Sequence, residues 1–299
     1  IVGMLVIAAS GIAGGYIAYT RTTQEPPEPV SLVSIPDVFS RYAEQIRTAD
    51  LLAQEQAHLL RDGSHVTLND LHGFFDLPLK QPVVYQQIRA PGDPRAYRNG
   101  IHQGIDFYQT RRGDSIYAAA PGIIIRTDKD YQPMEPAFRD EMLSHCLHTW
   151  NGTPGSVNLP PVEEPYGDVL DKLRGRQVYL YHGQNAQHEP IISLYAHLSD
   201  VNHELAVYDL VDTETVIGAI GNSGTSDEMK GRLQAGNHLH IELFVGGMYW
   251  TPKEESEIGV KQANPRYAEL QKMVLEELSR SYLPPEEVPL DRSRAETSP

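Results

Sequence analysis

The stretch NHLHIELFV, residues Asn237–Val245, decides the reading. It is a short run of apolar and aromatic residues bounded by Asn and Gly, which predicts a β-strand. Side chains two apart on a strand share a face, so His238 and His240 project together into one pocket. Imidazole and carboxylate are the usual ligands of zinc where cysteine is scarce. NGIHQGIDFY (Asn99–Tyr108) supplies His102 and Asp106, an even number apart on an extended segment, with Gly104 between them for close backbone approach. SLYAHLSD (Ser193–Asp200) supplies His197. Two His and one Asp would leave the fourth position of a tetrahedral zinc open for water, as a catalytic site needs. A further His on a neighbouring strand could serve as base or oxyanion partner. A lone His-x-His is more often structural than not, and His-x-x-x-Asp is weaker still. Their joint occurrence, in this order and on strand-like segments, is what carries weight.

Outward from that strand, the segments Ser115–Ala119, Gly122–Thr127, Gln177–Tyr181, Ile191–His197 and Val216–Ile220 have the same short, turn-bounded character. No helical crossovers separate them, so an antiparallel all-β unit is expected, spanning residues 83–255. Residues 131–176 break the pattern with six prolines and read as an insertion with a helical turn near Glu135–His148. Before the β unit, Phe39, Tyr42, Ala43, Ile46, Ala49, Leu52 and Ala53 recur at helical spacing, within a helical segment placed at Asp37–Leu60 in a region 37–82. Behind it, Asn264-Pro265 is a helix start, and Arg266–Arg280 carries Tyr267, Leu270, Val274 and Leu278 on one face within a region 256–282. Residues 283–299 are acidic and Pro-rich, an expected disordered tail.

Ile1–Thr20 carries no charge and is long enough to span a bilayer as a helix. A secretory signal peptide is the rival; an anchor is favoured because no clear small-x-small cleavage site precedes Arg21. Residues 21–36 read as a Pro-rich linker. The expected location is therefore outside the cytoplasm, in the cell envelope.

Composition excludes several functions. The chain has 299 residues with 25 Lys plus Arg against 40 Asp plus Glu, a formal charge of −15. That argues against nucleic acid as a partner, since phosphate neutralisation needs clustered basic residues. A single cysteine, Cys146, rules out an intrachain disulfide and a Cys-rich zinc module. Other signals read blandly. His145 and His148 share a helical face without a carboxylate pattern, His182 reads as scaffold, and His188 and His203 read as loop residues. Gly221–Gly224 lacks the Lys-Ser/Thr of a phosphate loop and reads as a turn. Arg95 and Arg98 are either solvated or contacts for a substrate carboxylate.

At this point the blocks HQGIDF (His102–Phe107), AAAPGIII (Ala118–Ile125), YAHLS (Tyr195–Ser199), IGAIGNSGTS (Ile217–Ser226) and HLHIEL (His238–Leu243) stand in one order. Over Tyr97–Pro252 the chain resembles the lysostaphin-type (LytM-type) zinc metallopeptidases of bacterial cell walls. The resemblance implies a small antiparallel β sandwich and one zinc held by His102, Asp106 and His240. It places His197 and His238 in catalysis, dividing proton transfer and oxyanion stabilisation. It implies hydrolysis of peptide bonds in peptidoglycan cross-bridges or stems. No His-Glu-x-x-His helix is present, so a glutamate base is not expected. Two departures stand out, the insertion 131–176 and a lengthened approach to His238 over Asp227–Asn237; either could wall the groove or cover it. The rivals are a silent or latent member that binds wall polymer or activates another hydrolase, and an adhesion module without zinc dependence.

Overall fold

A computed structural model describes residues 41–98, 100–149, 168–251 and 264–278, without the side chains of residues 148 and 149. The expected anchor at 1–20, the linker, the acidic stretch after Thr251 and the tail lie outside the described residues. No helix among the described residues is long and apolar enough to cross a membrane.

The elements follow in chain order as α1 (Ala43–Glu55), β1 (Ile88–Arg89), β2 (Pro94–Arg95), β3 (Gly100–Ile101), β4 (Ile105–Phe107), β5 (Ser115–Tyr117) and β6 (Gly122–Thr127). Then come α2 (Pro136–Thr149), α3 (Val169–Arg174), β7 (Val178–Gln184), β8 (Pro190–Ala196), β9 (Asp200–Val201), β10 (Leu210–Val211) and β11 (Val216–Ala219). The chain continues through α4 (Ser226–Met229), β12 (Leu239–Val245), β13 (Met248–Tyr249) and α5 (Tyr267–Glu277). Within the described residues the expected strands and helices are present with shifts of a few residues, and the expected helical turn near Glu135–His148 is a full helix of 14 residues. The N-terminal helical segment is α-helical to Glu55 and then tightens into a 3-10 turn at Ala57–Leu59.

One eight-stranded antiparallel sheet runs β1-β4-β12-β8-β7-β6-β10, with β13 paired to β12. A second sheet runs β5-β11-β9, and β2 pairs β3. Alternation along β12 divides its residues between two faces. Leu239, Ile241, Leu243 and Val245 enter the larger apolar cluster, together with Ile116 and Ile217 of the small sheet and Tyr267, Leu270 and Val274 of α5 or its edge. The opposite face carries His240, Glu242 and Phe244. There Phe244 joins Ile192, Leu194, Tyr179, Tyr181 and Ile123 beneath Ala49 and Ala53 of α1. Helix α1 is pinned by Tyr181, whose hydroxyl donates to Asp50 at 2.6 Å.

The insertion forms a small core of its own from Met142, Cys146, Val169 and Leu173, which joins α2 to α3. Cys146 is buried there. Asp168 caps α3 by accepting from the Asp171 amide, and α3 thereby brings Arg174 to the sheet.

Candidate metal centre

Strand register assembles the site. Asp106 on β4 faces His240 on β12 across one antiparallel pair, and His240 faces Ala196 on β8 across the next. His102 stands four residues before Asp106, just ahead of β4. His238 reaches its place because the chain before β12 bridges to Gly221. Gly221 itself has no room for a side chain, since a Cβ would lie 2.3 Å from the Ser199 amide. Gly104 is equally constrained, because a Cβ would lie 2.4 Å from the Ile241 carbonyl and 2.8 Å from the His240 ring.

His102, Asp106 and His240 form the one group among the described residues whose donor atoms could hold a metal ion. His102 Nε2 lies 2.9 Å from Asp106 Oδ1 and 3.0 Å from His240 Nδ1, and His240 Nδ1 lies 2.8 Å from Asp106 Oδ1. The outer ring nitrogens decide what these atoms carry. His102 Nδ1–H donates to the Ala90 carbonyl at 3.0 Å, and His240 Nε2–H donates to Glu242 at 2.9 Å. In the neutral imidazoles the inward nitrogens are therefore bare lone pairs. Three lone pairs in mutual contact repel one another unless a positive charge, a proton on His240 or a metal ion, sits among them. Tetrahedral zinc with N and O ligands wants edges of about 3.3 Å, so the triangle needs to open by only a few tenths of an ångström. The donor set fits zinc.

Electrostatics agree for His102 and Asp106; His240 is lowered by burial but raised on balance by its hydrogen bonds to Asp106 and Glu242, so a metal there displaces a proton. Burial pushes the His102 imidazole down to about 4, against the opposing pull of Asp106, so it is neutral at pH 7. Burial works against the Asp106 charge, yet the imidazoles around it hold its carboxyl well below the usual range. Its second oxygen, Oδ2, accepts from Arg95 at 3.0 Å. Arg95 also pairs with Asp93 at 2.6 Å and is only 11% exposed, so it is neither solvated nor free. Burial likewise raises the Glu242 carboxyl, but Arg174 and His240 overcome this and leave it lowered. Arg174 binds Glu242 with two parallel bonds at 2.8 and 2.7 Å.

Two more imidazoles flank the triangle. His197 Nδ1–H donates to the Ser223 carbonyl at 2.7 Å, and His238 Nδ1–H donates to the Gly236 carbonyl at 2.7 Å. Each keeps Nε2 as its remaining ring nitrogen. His238 Nε2 lies 3.7 Å from Asp106 Oδ1. The His197 ring centroid is 4.7 Å from that of His238 and 5.5 Å from that of His240. Burial lowers both imidazoles. His197 has φ of 60°, a left-handed conformation costly for a non-glycine residue, one position after β8 ends. Tyr108 stacks on His238 at 4.7 Å and 15°.

The five residues singled out in the sequence thus line one groove of about 640 Å³. Both departures contribute walls: Arg139, Leu143, Leu173 and Arg174 from the insertion, and Asp227 and Gly236 from the approach to β12. The other histidines stay apart. His182 is buried against Phe74 and Phe75, which also touch each other, and is bonded to Ser193 at 2.7 Å. His188 is in a turn, and His203 is exposed beside Asp200. Sequence reading missed Glu242, Arg174 and Tyr108. The first and last each stand two residues beyond a ligand, on its face of the strand, and that spacing is their signal.

No protein-family model and no curated protein matches the chain. Solved structures do. An M23-assigned peptidase of Pseudomonas aeruginosa is 18% identical with a TM-score of 0.32, over 71% of this chain and 60% of that one. The lysostaphin catalytic domain of Staphylococcus simulans is 18% identical with a TM-score of 0.32, over 55% of this chain and 86% of that one. Csd3 of Helicobacter pylori is 17% identical with a TM-score of 0.33, over 70% and 45%. The chain thus spans less than two thirds of the length of the first and third of these.

Proposed function

We propose that the chain is a zinc-dependent endopeptidase of the lysostaphin type, acting outside the cytoplasm on peptide bonds of peptidoglycan. One observation carries the reading. His102, Asp106 and His240 converge three lone pairs on a point, and two further imidazoles with anchored Nδ1–H groups stand beside it.

Bound zinc supplies a Lewis acid that polarises a scissile carbonyl and makes water acidic near neutral pH. The chain supplies the rest. Glu242 and the Ala90 carbonyl fix the His240 and His102 tautomers, so that both offer lone pairs inward. The Ser223 and Gly236 carbonyls do the same for His197 and His238, which leaves Nε2 of each to take or return a proton. When protonated, either imidazole becomes a donor to the oxyanion of a tetrahedral intermediate. Walls from two segments line the groove's flanks. Partnership with peptidoglycan and anchoring through residues 1–20 belong to the same proposal.

The test is metal analysis together with digestion of purified peptidoglycan. The native chain should hold one zinc and release new amino termini. His240→Ala should lose both. His197→Ala should keep zinc and lose about 10²- to 10⁴-fold in rate, the usual share of one proton-transfer group. A native chain without zinc would sink the proposal. Zinc with intact wall would leave a silent binding factor instead.

A further inference from the structure

The groove carries an excess of unanswered positive charge in a protein whose formal charge is −15. Five arginines line it: Arg89, Arg95, Arg98, Arg139 and Arg174. Two are neutralised at once, Arg95 by Asp93 and Asp106, and Arg174 by Glu242. Asp227, a fourth acid of the lining, is taken by Arg232. The other three guanidiniums have no carboxylate within ion-pairing distance among the described residues. Arg89 lies only over the Tyr108 ring, at 5.1 Å. Arg98 is 3% exposed, bonds the Ile101 carbonyl and the Gln103 amide oxygen, and leaves Nη1 without an acceptor. Arg139 has no side-chain partner among the described residues, and its Nε is buried. Arg174 Nη1 and Gln103 Nε2, on the same lining, are also buried donors without acceptors.

Buried donors are almost always satisfied in folded proteins, and an unpaired buried charge is destabilising. A cluster of such donors on one groove is built for an acceptor that arrives with the ligand. Guanidinium groups match carboxylates in shape and charge. Position narrows the choice further. Arg89 stands opposite the metal ligand Asp106 in the β1–β4 register, and α2, which carries Arg139, packs on the turn that carries Arg98. These groups therefore sit along the path a peptide would follow past the metal.

We propose that the groove selects an anionic peptide, and that Arg139 with Arg89 and Arg98 binds its free carboxylates. This rests on the peptidase reading for the fate of the peptide, not for its binding. Applied to peptidoglycan, it favours stem peptides with free carboxyl groups over neutral glycine bridges.

The test uses the zinc-loaded full chain and three labelled probes. These are stem-peptide dimers with free carboxylates, the same dimers after carbodiimide coupling to ammonia, and pentaglycine. Fluorescence anisotropy reads binding, and mass spectrometry separately reads cleavage. The free-carboxylate dimers should bind about tenfold more tightly than the amidated ones, the gain from one charge-assisted contact, and pentaglycine should bind least. Arg139→Gln and Arg89→Gln should each shrink that ratio toward unity with zinc content and Tm unchanged, because neither side chain holds the fold through an ion pair. Equal affinity for the two dimers, tighter binding of pentaglycine, or a ratio unchanged in both variants would overturn the proposal. Preference for carboxylate without cleavage would support the subsite while counting against the peptidase reading.

Discussion

His240, Glu242 and Phe244 form one row on β12, yet they belong to two different regions of the same sheet face. Phe244 stands in the half covered by α1, where Ile192, Leu194, Tyr179 and Tyr181 close a dry layer. His240 and Glu242 stand in the half left as a groove. The covered half is apolar; the Tyr181 and Tyr179 hydroxyls donate to Asp50 and Gln177, while the buried Tyr249 hydroxyl has no partner among the described residues. The groove half buries charged groups, holds His197 in a left-handed conformation, and leaves donors without acceptors. The same alternation rule built both. They differ in what closes the surface: a helix for one, and metal and ligand for the other. The first half contributes stability, and the second holds polar groups whose desolvation is repaid only when something binds.

The largest expected effect breaks the groove half at its hinge. Glu242 serves two partners, His240 Nε2 and Arg174. Glu242→Gln removes the charge opposite a guanidinium that is only 4% exposed. Breaking such a buried pair costs about 3–5 kcal/mol. It also weakens the anchor of a metal ligand, for which about 10- to 100-fold in zinc affinity is usual. Thermal melting of the metal-free chain and a competitive zinc titration measure the two separately. Native values for both would mean that Glu242 is a bystander and that the halves do not differ as argued.

A slightly smaller effect belongs to the covered half. Ile192 is fully buried and faces Phe244 across β8 and β12. Ile192→Ala should cost about 2–5 kcal/mol through lost burial and the cavity left behind. Zinc affinity should stay within about twofold, because the change touches no ligand or ligand anchor. An affinity loss as large as that of Glu242→Gln would show the two halves to be mechanically coupled.

How much of this was readable beforehand follows from the same contrast. Strand alternation and order located the antiparallel sheet and brought His102, Asp106, His197, His238 and His240 to one groove, because side-chain period survives in sequence. The anchors did not show, since the Ala90, Ser223 and Gly236 carbonyls are backbone and carry no residue-type signal. Arg174 was hidden for another reason: it meets Glu242 from 68 residues away, out of the end of the insertion. Arg95 looked like a solvated or substrate-facing residue, but two carboxylates consume it. Burial of a charge depends on tertiary packing that local sequence does not encode.

The smallest expected effect asks whether burial alone makes a histidine functional. His182 resembles His102 in being fully enclosed, in donating Nδ1–H to a carbonyl, that of Pro121 at 2.9 Å, and in having its imidazole pushed by burial down to about 4. It differs in spending Nε2 on Ser193 at 2.7 Å. Its imidazole is neutral when folded and protonates near 6.5 when unfolded, so between those values the unfolded chain binds the extra proton. Stability is therefore full above about pH 6.5 and falls as the pH drops toward 4, by up to about 1.4 kcal/mol per pH unit for one such group. Urea titrations of the zinc-loaded chain at pH 6.5 and 5.5, beside His182→Gln, isolate this share: the variant should show a shallower loss on acidification while keeping its zinc. An unchanged slope would mean that His182 is already protonated in the fold. A variant that lost zinc would move His182 from the scaffold into the site, and the line drawn between groove and core would have to be redrawn around it.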